Sequence, residues 1–418
     1  ALALEPRKIM RSSADTIASS QPDSDKFSVS AAPTATVQFF AYDPFWVGRE
    51  SLVQTLSAKL NDTSRLMLIT GIAGVGKTAL SERLAQELHT ILNPQRIVRV
   101  NFDNKEQSTD FSSVAAMLLE SCDQPVSPEE RTNTQLITRR LIAYLQVTPT
   151  LILIDSLENI LNGNVQTGWS EFKDEAFVSF FQGVLASTTF ASRFILTSQA
   201  LPAQILQVGS RYQNFWHCQP ITGLSASEQA ALFEKTSFTL ESELIRIGKA
   251  YEGHPLALRT ILGEIGSHPF YGNVAAYWKS YGHEIEAVEQ SIAEAAAGYI
   301  SGADDSEKWK IERFTRALRL NVQQRLEHTF ARLRQETKYA YILLCEASVY
   351  RCPVADDWWL SHLEDWEQDE EAQLAALDVL RDRYLIEEKI EGTERLLRQH
   401  NLIRSVALAH LKELTFDI

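Results

Sequence analysis

The residues best suited to carry out chemistry lie in one glycine-rich stretch, where Gly71 is followed after four residues by Gly76, Lys77 and Thr78. This spacing is that of a phosphate-binding loop. Glycine permits positive φ, so the backbone closes around an anion and its N–H groups point inward. Lys77 is placed to reach the β- and γ-phosphates of a nucleotide and to assist catalysis, and the Thr78 hydroxyl is placed to bind Mg²⁺. The loop residues expected to bind nucleotide are Gly71, Gly74, Val75, Gly76, Lys77, Thr78 and Ala79.

The sequence on either side of this loop decides between a functional site and a chance glycine-rich turn. An apolar, strand-like run over 66–70 precedes the loop. A helical pattern follows it, with Leu80, Leu84, Leu88 and Ile91 on one face. A helix that starts at the loop adds its positive N-terminal end to the anion site. We therefore favour the nucleotide site over the chance turn.

A second candidate residue, Asp155, ends the run Thr150–Asp155, in which four consecutive apolar residues predict a buried parallel strand. The carboxyl ends of such strands meet at the edge of the sheet where nucleotides bind. Asp155 is therefore the expected carboxylate partner of Mg²⁺, beside Thr78, and a candidate catalytic residue together with Lys77. The alternative is that Asp155 only caps the following turn.

The predicted elements around these residues alternate between strands and helices. We predict an α/β fold of the P-loop NTPase type, a parallel sheet with helical flanks. The further elements predicted in this region are strands at 96–102 and 192–199, helices through 114–119 and at 135–146, and an amphipathic helical excursion over 162–190.

Val47, Gly48 and Arg49 lie about twenty residues before the loop and begin a series of motifs that resembles the signal-transduction ATPases of the NB-ARC architecture, in the STAND class. That family includes apoptosome ATPases, plant resistance proteins and many bacterial regulators. The resemblance implies that these three residues line the adenine and ribose side of the pocket. On the residues alone, Arg49 could equally be a surface residue that caps the next helix.

Two later motifs extend the resemblance. Gly253, Pro255 and Leu256 match the family's Gly-x-Pro-Leu-Ala-Leu sequence, which closes a small helical domain over the base; the alternative is an ordinary junction between helices. His400 is similar to the histidine of the family's Met-His-Asp element, which contacts the β-phosphate of bound ADP. Gln399 and Asn401 replace that histidine's neighbours, and the alternative for His400 is a hairpin-to-helix junction with only a backbone partner.

Two departures from the family pattern bear on hydrolysis. Many relatives place a second acidic residue directly after the aspartate, where it activates water, but this chain has Ser156, and the next acid is Glu158. The family's sensor strand commonly ends in an arginine that detects the γ-phosphate, and that position is Gln199 here. We therefore expect hydrolysis that is slow or that depends on a partner subunit.

The resemblance covers the chain from about residue 40 to its end. From about residue 309 the sequence predicts helices over 318–330, 341–347 and 374–385, and a β-hairpin of 384–390 with 395–398. Three helices and a hairpin make a winged helix, the module that the family carries after its nucleotide lobes. A winged helix can bind DNA, but the acidic stretch between Glu364 and Glu371 would repel phosphate, so we favour a regulatory role for this module. The predicted organisation is a flexible tail or linker over 1–36, a P-loop nucleotide-binding domain over 37–218, a small helical domain over 219–275, a helical linker over 276–308 and a winged-helix domain over 309–418.

Composition limits the class of protein. The chain has 418 residues and a net charge of −14, which disfavours a general nucleic-acid coat. Four scattered cysteines, with no apolar run long enough to cross a bilayer and no signal peptide, favour a reducing cytoplasm without membrane contact.

These observations predict a switch that binds ATP or ADP with Mg²⁺, is held closed by ADP and opens on exchange to ATP. Opening would permit signalling through self-association or a regulatory protein partner. One alternative is a DNA-handling ATPase that resembles replication-origin loaders and uses its winged helix on DNA. Another is a metabolic ATPase with sustained turnover, against which Ser156 argues.

Overall fold

The computed structural model describes residues 46–103, 109–164, 169–297, 307–391 and 394–414. All of them belong to one unit, Val37–Ile418. The predicted tail over 1–36 lies outside the described residues.

A five-stranded parallel sheet organises the first part of the described chain. The elements in chain order are α1 (Glu50–Asn61), β1 (Leu66–Thr70), α2 (Lys77–Leu92), β2 (Arg96–Asn101), α3 (Phe111–Glu120), α4 (Pro128–Thr132), α5 (Thr134–Val147), β3 (Thr150–Asp155), a 3₁₀ turn (Leu157–Ile160), β4 (Leu161–Asn164), β5 (Trp169–Phe172), α6 (Ala176–Ala186), β6 (Arg193–Ser198), β7 (Leu201–Pro202), α7 (Ala203–Gly209) and β8 (Trp216–Pro220). The strand order is β2-β3-β6-β1-β8. Every residue of β1 and β3 is buried, as expected for strands covered on both faces by helices.

Three of the four residues on the predicted inward face of the helix after the loop are buried. Leu80, Leu84 and Leu88 of α2 are fully buried, whereas Ile91, in the last turn of the helix, is 45% exposed. The α/β fold predicted from this region is confirmed.

The segment 162–190 differs from the predicted helical excursion. It begins with the antiparallel pair β4 and β5, in which Leu161 lies opposite Phe172, and becomes helical only at α6. Phe177, Phe180 and Phe181 have the helical spacing and are buried. The helical period is therefore correct for α6, while Leu161 and Phe172 form a cross-strand pair that local periodicity does not reveal.

Helices dominate the chain after β8, apart from one small antiparallel sheet of order β10-β11-β9. The elements are α8 (Ala226–Lys235), α9 (Ser242–Ala250), α10 (Pro255–Gly266), α11 (Val274–Ala297), α12 (Glu307–Glu336), α13 (Lys338–Glu346), a 3₁₀ turn (Ala347–Val349), β9 (Val354–Ala355), α14 (Asp356–Glu364), α15 (Glu370–Asp382), β10 (Glu387–Glu391), β11 (Glu394–Arg398) and α16 (Asn401–Leu414). The helices and hairpin predicted after residue 309 are present in order, together with α14. The winged-helix assignment itself stays a prediction.

A buried ionic cluster joins α10, α11 and α12. Glu264 contacts Arg325 and lies 2.6 Å from Arg332, and Glu284 lies 2.5 Å from Arg332 and 3.0 Å from His328. Burial would raise the pKa of Glu264, but the two arginines hold it below its ordinary value. Buried charges of this kind are stable only when they are paired, so the cluster fixes the three helices to one another.

In the parts of the chain that the structure describes, every helix is too short or too polar to cross a bilayer.

Candidate functional site

The phosphate loop between β1 and α2 has the predicted positive φ at its glycines, but only two of the three lie in the left-handed region. Gly74 and Gly76 have φ of 77° and 97°, in the left-handed region that favours glycine. Gly71, with φ of 158°, is nearly extended, and a side chain there would instead place its Cβ 2.8 Å from the carbonyl oxygen of Ile221. The Lys77 ammonium folds back over the loop and donates to the carbonyl oxygens of Gly71 and Ile72, at 2.9 Å each.

Asp155 lies next to Thr78, as predicted for a shared magnesium site. The Thr78 hydroxyl is 3.1 Å from each carboxylate oxygen of Asp155, and the Thr197 hydroxyl also donates to this carboxylate. A hydroxyl and a carboxylate are the hard oxygen ligands that Mg²⁺ prefers when phosphates complete its coordination. The donor set therefore fits the ion. Asp155 is not merely the cap of a turn.

Arg99, which was not predicted as a site residue, reaches the same carboxylate from β2. Its guanidinium donates to Asp155 over 3.2 Å and to the buried carboxylate of Glu82 over 2.6 Å. Burial would lower the pKa of Arg99, but these two carboxylates raise it above its ordinary value. Arg99 thus supplies a fixed positive charge beside Asp155. No local motif marks it, because it reaches the site only through the pairing of β2 with β3.

Glu158 faces the site and is held there by Gln199. One carboxylate oxygen accepts from the Gln199 side-chain amide over 2.7 Å, and the other accepts from the Gln199 backbone N–H over 3.1 Å. Burial raises the pKa of Glu158, while the nearby Lys77 opposes this. Gln199, at the predicted sensor position, therefore donates its hydrogen bonds to Glu158.

Arg49 stands at the N-cap position of α1, but its side chain makes no capping hydrogen bond and instead contacts the phosphate loop. Its guanidinium donates to the carbonyl oxygens of Val75, at 3.0 Å, and Thr222, at 2.7 Å. Its backbone N–H donates to Glu228 over 2.7 Å. At Gly48, where φ is 67°, an added Cβ would lie 2.3 Å from the same Glu228 carboxylate, so this turn requires glycine.

His254 joins α10 to the phosphate loop, and the sequence did not single it out because it occupies the variable position of the Gly-x-Pro motif. Its Nδ1 accepts from the Ala257 N–H over 3.3 Å and so caps α10, and its Nε2–H donates to the Ala73 carbonyl oxygen over 2.8 Å. Burial lowers the pKa of His254 to about 4, so the ring is neutral near pH 7. Pro255 follows as the first residue of the helix.

His400 lies between β11 and α16 and faces the same space. Its Nδ1 accepts from the Leu402 N–H over 3.1 Å. Burial lowers the pKa of His400 to about 4. The neutral ring therefore carries its proton on Nε2, where it can be donated to a ligand.

One cavity of about 1590 Å³ brings these residues together. Gly48 and Gly71 lie outside its lining and act through the backbone turns described above. The predicted residues in its wall are Val47, Arg49, Gly74, Val75, Gly76, Lys77, Thr78, Ala79, Asp155, Pro255, Leu256 and His400. Among the described residues, no group of three or more His, Cys, Asp or Glu side chains is arranged to hold a metal by itself.

The region that carries the phosphate loop matches a known protein family. Residues 46–198 match the family Novel STAND NTPase 6. A WD repeat-containing protein of Nostoc sp. (strain PCC 7120), itself uncharacterised, is 27% identical over 232 residues, which is 52% of this chain and 17% of that protein. The chain thus spans about a sixth of the length of that relative.

Several solved structures are distantly similar. The ORC2 protein of Aeropyrum pernix is 12% identical, with 89% of this chain and 98% of that one covered and a TM-score of 0.34. The Cdc6p protein of Pyrobaculum aerophilum is 11% identical, with 90% and 98% covered and a TM-score of 0.36.

The family match covers four of the five strands of the sheet, the phosphate loop and Asp155. Together with the geometry of that loop, the match supports a STAND-class P-loop NTPase domain in this part of the chain.

Proposed function

We propose that this protein is an ATP/ADP-binding switch of the NB-ARC type, which ADP holds closed and ATP opens. The observation that carries the proposal is the shared cavity. The phosphate loop, the start of α10 and His400 of the C-terminal region all contribute to its wall. A single ligand there would contact three parts of the chain that are far apart in sequence.

The residues that line the cavity support a place for each part of an adenine nucleotide. The loop N–H groups and Lys77 bind the β- and γ-phosphates, and Pro255 and Leu256 pack against the base. Thr78 and Asp155 hold Mg²⁺, which neutralises phosphate charge when it is bound. Lys77 gives up its two backbone acceptors to the phosphate oxygens, which are stronger acceptors because they are charged.

His400 provides the difference between the two nucleotide states. Its Nε2–H donates to the β-phosphate of ADP and so fixes the C-terminal region to the nucleotide. A ligand shifts a conformational equilibrium only through a difference in affinity between the two states. Exchange to ATP removes the His400 contact, and the released C-terminal region becomes available for self-association or for a regulatory partner.

Hydrolysis is expected to be slow in the closed arrangement. Ser156 occupies the position after Asp155, and both oxygens of Glu158 accept hydrogen bonds from Gln199. A long-lived nucleotide suits a switch better than it suits a metabolic ATPase.

The test is to denature freshly purified protein and identify the released nucleotide by chromatography. We expect nearly one ADP per chain in the wild type and in the control Lys249→Ala, which changes an exposed lysine in the last turn of α9. Lys77→Ala should release none, because the ammonium that binds the phosphates is lost. Nucleotide retained by Lys77→Ala would contradict the assignment of the loop, and an empty wild-type protein with steady ATP turnover would contradict the switch.

The alternative DNA-handling function is opposed by the surface between α14 and α15. Six exposed carboxylates cluster there and would repel the DNA backbone, namely Glu364, Asp365, Glu367, Asp369, Glu370 and Glu371. Retention of duplex DNA at low salt, lost at high salt, would favour that alternative.

A further inference from the structure

Asp103, just beyond the end of β2, lies beside the nucleotide site although no motif marks it. Strands β2 and β3 are parallel neighbours, with Asn101 opposite Asp155. Two residues after Asn101, the Asp103 carboxylate reaches the cavity and forms part of its wall. It is therefore a carboxylate at the edge of the sheet where the γ-phosphate of ATP would lie.

Three side chains hold this carboxylate. The Ser156 hydroxyl donates to Oδ2 over 2.5 Å, and the Asn159 amide donates to Oδ1 over 2.8 Å. The Asn401 amide, in the first turn of α16, also donates to Oδ2. Ser156 directly follows Asp155 in the chain, so its hydrogen bond holds the Asp103 carboxylate beside the predicted magnesium ligand.

We propose that Asp103 is the carboxylate that orients and deprotonates the attacking water in this chain, and that Asn401 keeps it out of use while α16 is docked. This inference rests on the proposed function, because it assumes that ATP binds in the cavity. It adds a regulated general base to a site whose expected acid is absent.

The occupancy of the carboxylate explains the regulation. While α16 is docked, Ser156 and Asn401 use both acceptor positions on Oδ2 and Asn159 uses one of the two on Oδ1. Each of these hydrogen bonds stabilises the charged carboxylate and so weakens it as a base. When α16 leaves, one position becomes free for water while Ser156 still orients the group. Burial raises the pKa of Asp103, which makes it a stronger proton acceptor.

The chemistry needs only water and ATP. The water oxygen forms a bond to the γ-phosphorus, and the bond from that phosphorus to the β–γ bridging oxygen breaks to give ADP and inorganic phosphate. Asp103 accepts one proton of the water and then passes it to the phosphate or to solvent. Glu158 is the rival base, but its partner Gln199 lies at the end of β6, so release of α16 would leave that hydrogen bonding unchanged.

The test measures single-turnover hydrolysis of γ-labelled ATP with the 418-residue protein in excess, together with ATP affinity. We expect Asp103→Asn to be about 100-fold slower, at the lower end of what a positioned base contributes. Asn401→Ala should begin hydrolysis at least about threefold faster than wild type, because the reaction starts with α16 docked and only in wild type is the base still held by Asn401 when ATP arrives. The double variant should be as slow as Asp103→Asn, and Asp103→Glu should recover part of the rate.

Matched controls change the same residue types outside the cavity. Asn133→Ala removes an exposed asparagine that caps α5, and Asp110→Asn changes an exposed aspartate that caps α3, so both should keep the wild-type rate.

Several outcomes would overturn the proposal. If Asp103→Asn hydrolyses ATP at the wild-type rate, Asp103 takes no part in the reaction. If Asn401→Ala is not faster than wild type, α16 does not control the base. A double variant that keeps the acceleration would assign the base elsewhere. Loss of ATP binding in both Asp103→Asn and Asp103→Glu would assign Asp103 a purely structural role. All variants are first freed of bound nucleotide, so the rate reports hydrolysis and not exchange. These results therefore stand apart from the test of retained ADP, which decides the switch itself.

Discussion

Lowering the pH should destabilise this protein through its buried histidines, and the contribution of His254 can be isolated by substitution, although the pKa of His400 is lowered in the same way. The pKa of this ring is lowered to about 4 in the folded protein, from an ordinary value of 6.5. Between these two pH values the unfolded chain binds a proton on His254 and the folded chain does not. Stability therefore rises with pH across this window, and the contribution is lost as the pH falls from about 6.5 toward 4.

The size of the effect follows from the shift. Each pKa unit corresponds to about 1.4 kcal/mol, so the full window from 6.5 to about 4 represents about 3 kcal/mol for this wholly buried ring. Between pH 7 and pH 5, where most of the unfolded chains gain the proton, we expect a loss of about 2 kcal/mol. Protonation would also abolish the capping of α10, because Nδ1 accepts the Ala257 N–H.

The assay is urea unfolding at pH 7 and pH 5 for wild type and His254→Asn. Asparagine retains a side-chain oxygen that can cap α10 but cannot titrate. The loss of stability between the two pH values should be smaller in His254→Asn by about 2 kcal/mol. His89→Asn, at an exposed position near the end of α2, should behave like wild type. An equal pH dependence in His254→Asn and wild type would refute the reasoning.

Two further substitutions test the contact of His400 with ADP and the buried ionic cluster. In titration calorimetry, His400→Ala should weaken ADP binding by about tenfold or more, because it removes a hydrogen bond to a charged group, and should leave ATP binding nearly unchanged. Equal losses for both nucleotides would rule out an ADP-specific role of His400. Glu264→Gln should lower the free energy of unfolding by about 3 kcal/mol in urea, because Arg325 and Arg332 lose the charge that compensates them. The exposed Glu286→Gln should change it little, and a loss of similar size there would contradict the role of burial.

Local patterns alone determined the elements that bind phosphate. The loop between Gly71 and Thr78, the strand before it and the helix after it depend on backbone conformation and on hydrophobic spacing within a few residues, and both can be read directly from the chain. The same holds for Asp155, because a run of apolar residues that ends in an acid predicts both the strand and its exposed end.

The partners of these residues depended on tertiary structure. Arg99 meets Asp155 because β2 pairs with β3, and His254 reaches Ala73 because α10 packs over the loop. Glu158 follows β3 and Gln199 follows β6, and the two residues meet because these strands are neighbours in the sheet. In the chain, the segment that contains α6 separates the two strands.

The contact between Asp103 and Asn401 joins residues that are 298 positions apart in the chain, so no local pattern could predict it. Such contacts form only when whole elements pack, and their energy comes from burial and from polar groups that must find partners out of water. Sequence spacing carries no record of which distant group will be that partner. The sequence by itself therefore determined where the phosphates bind, and the packing of β2, α10 and α16 around the loop decided which charges control that site.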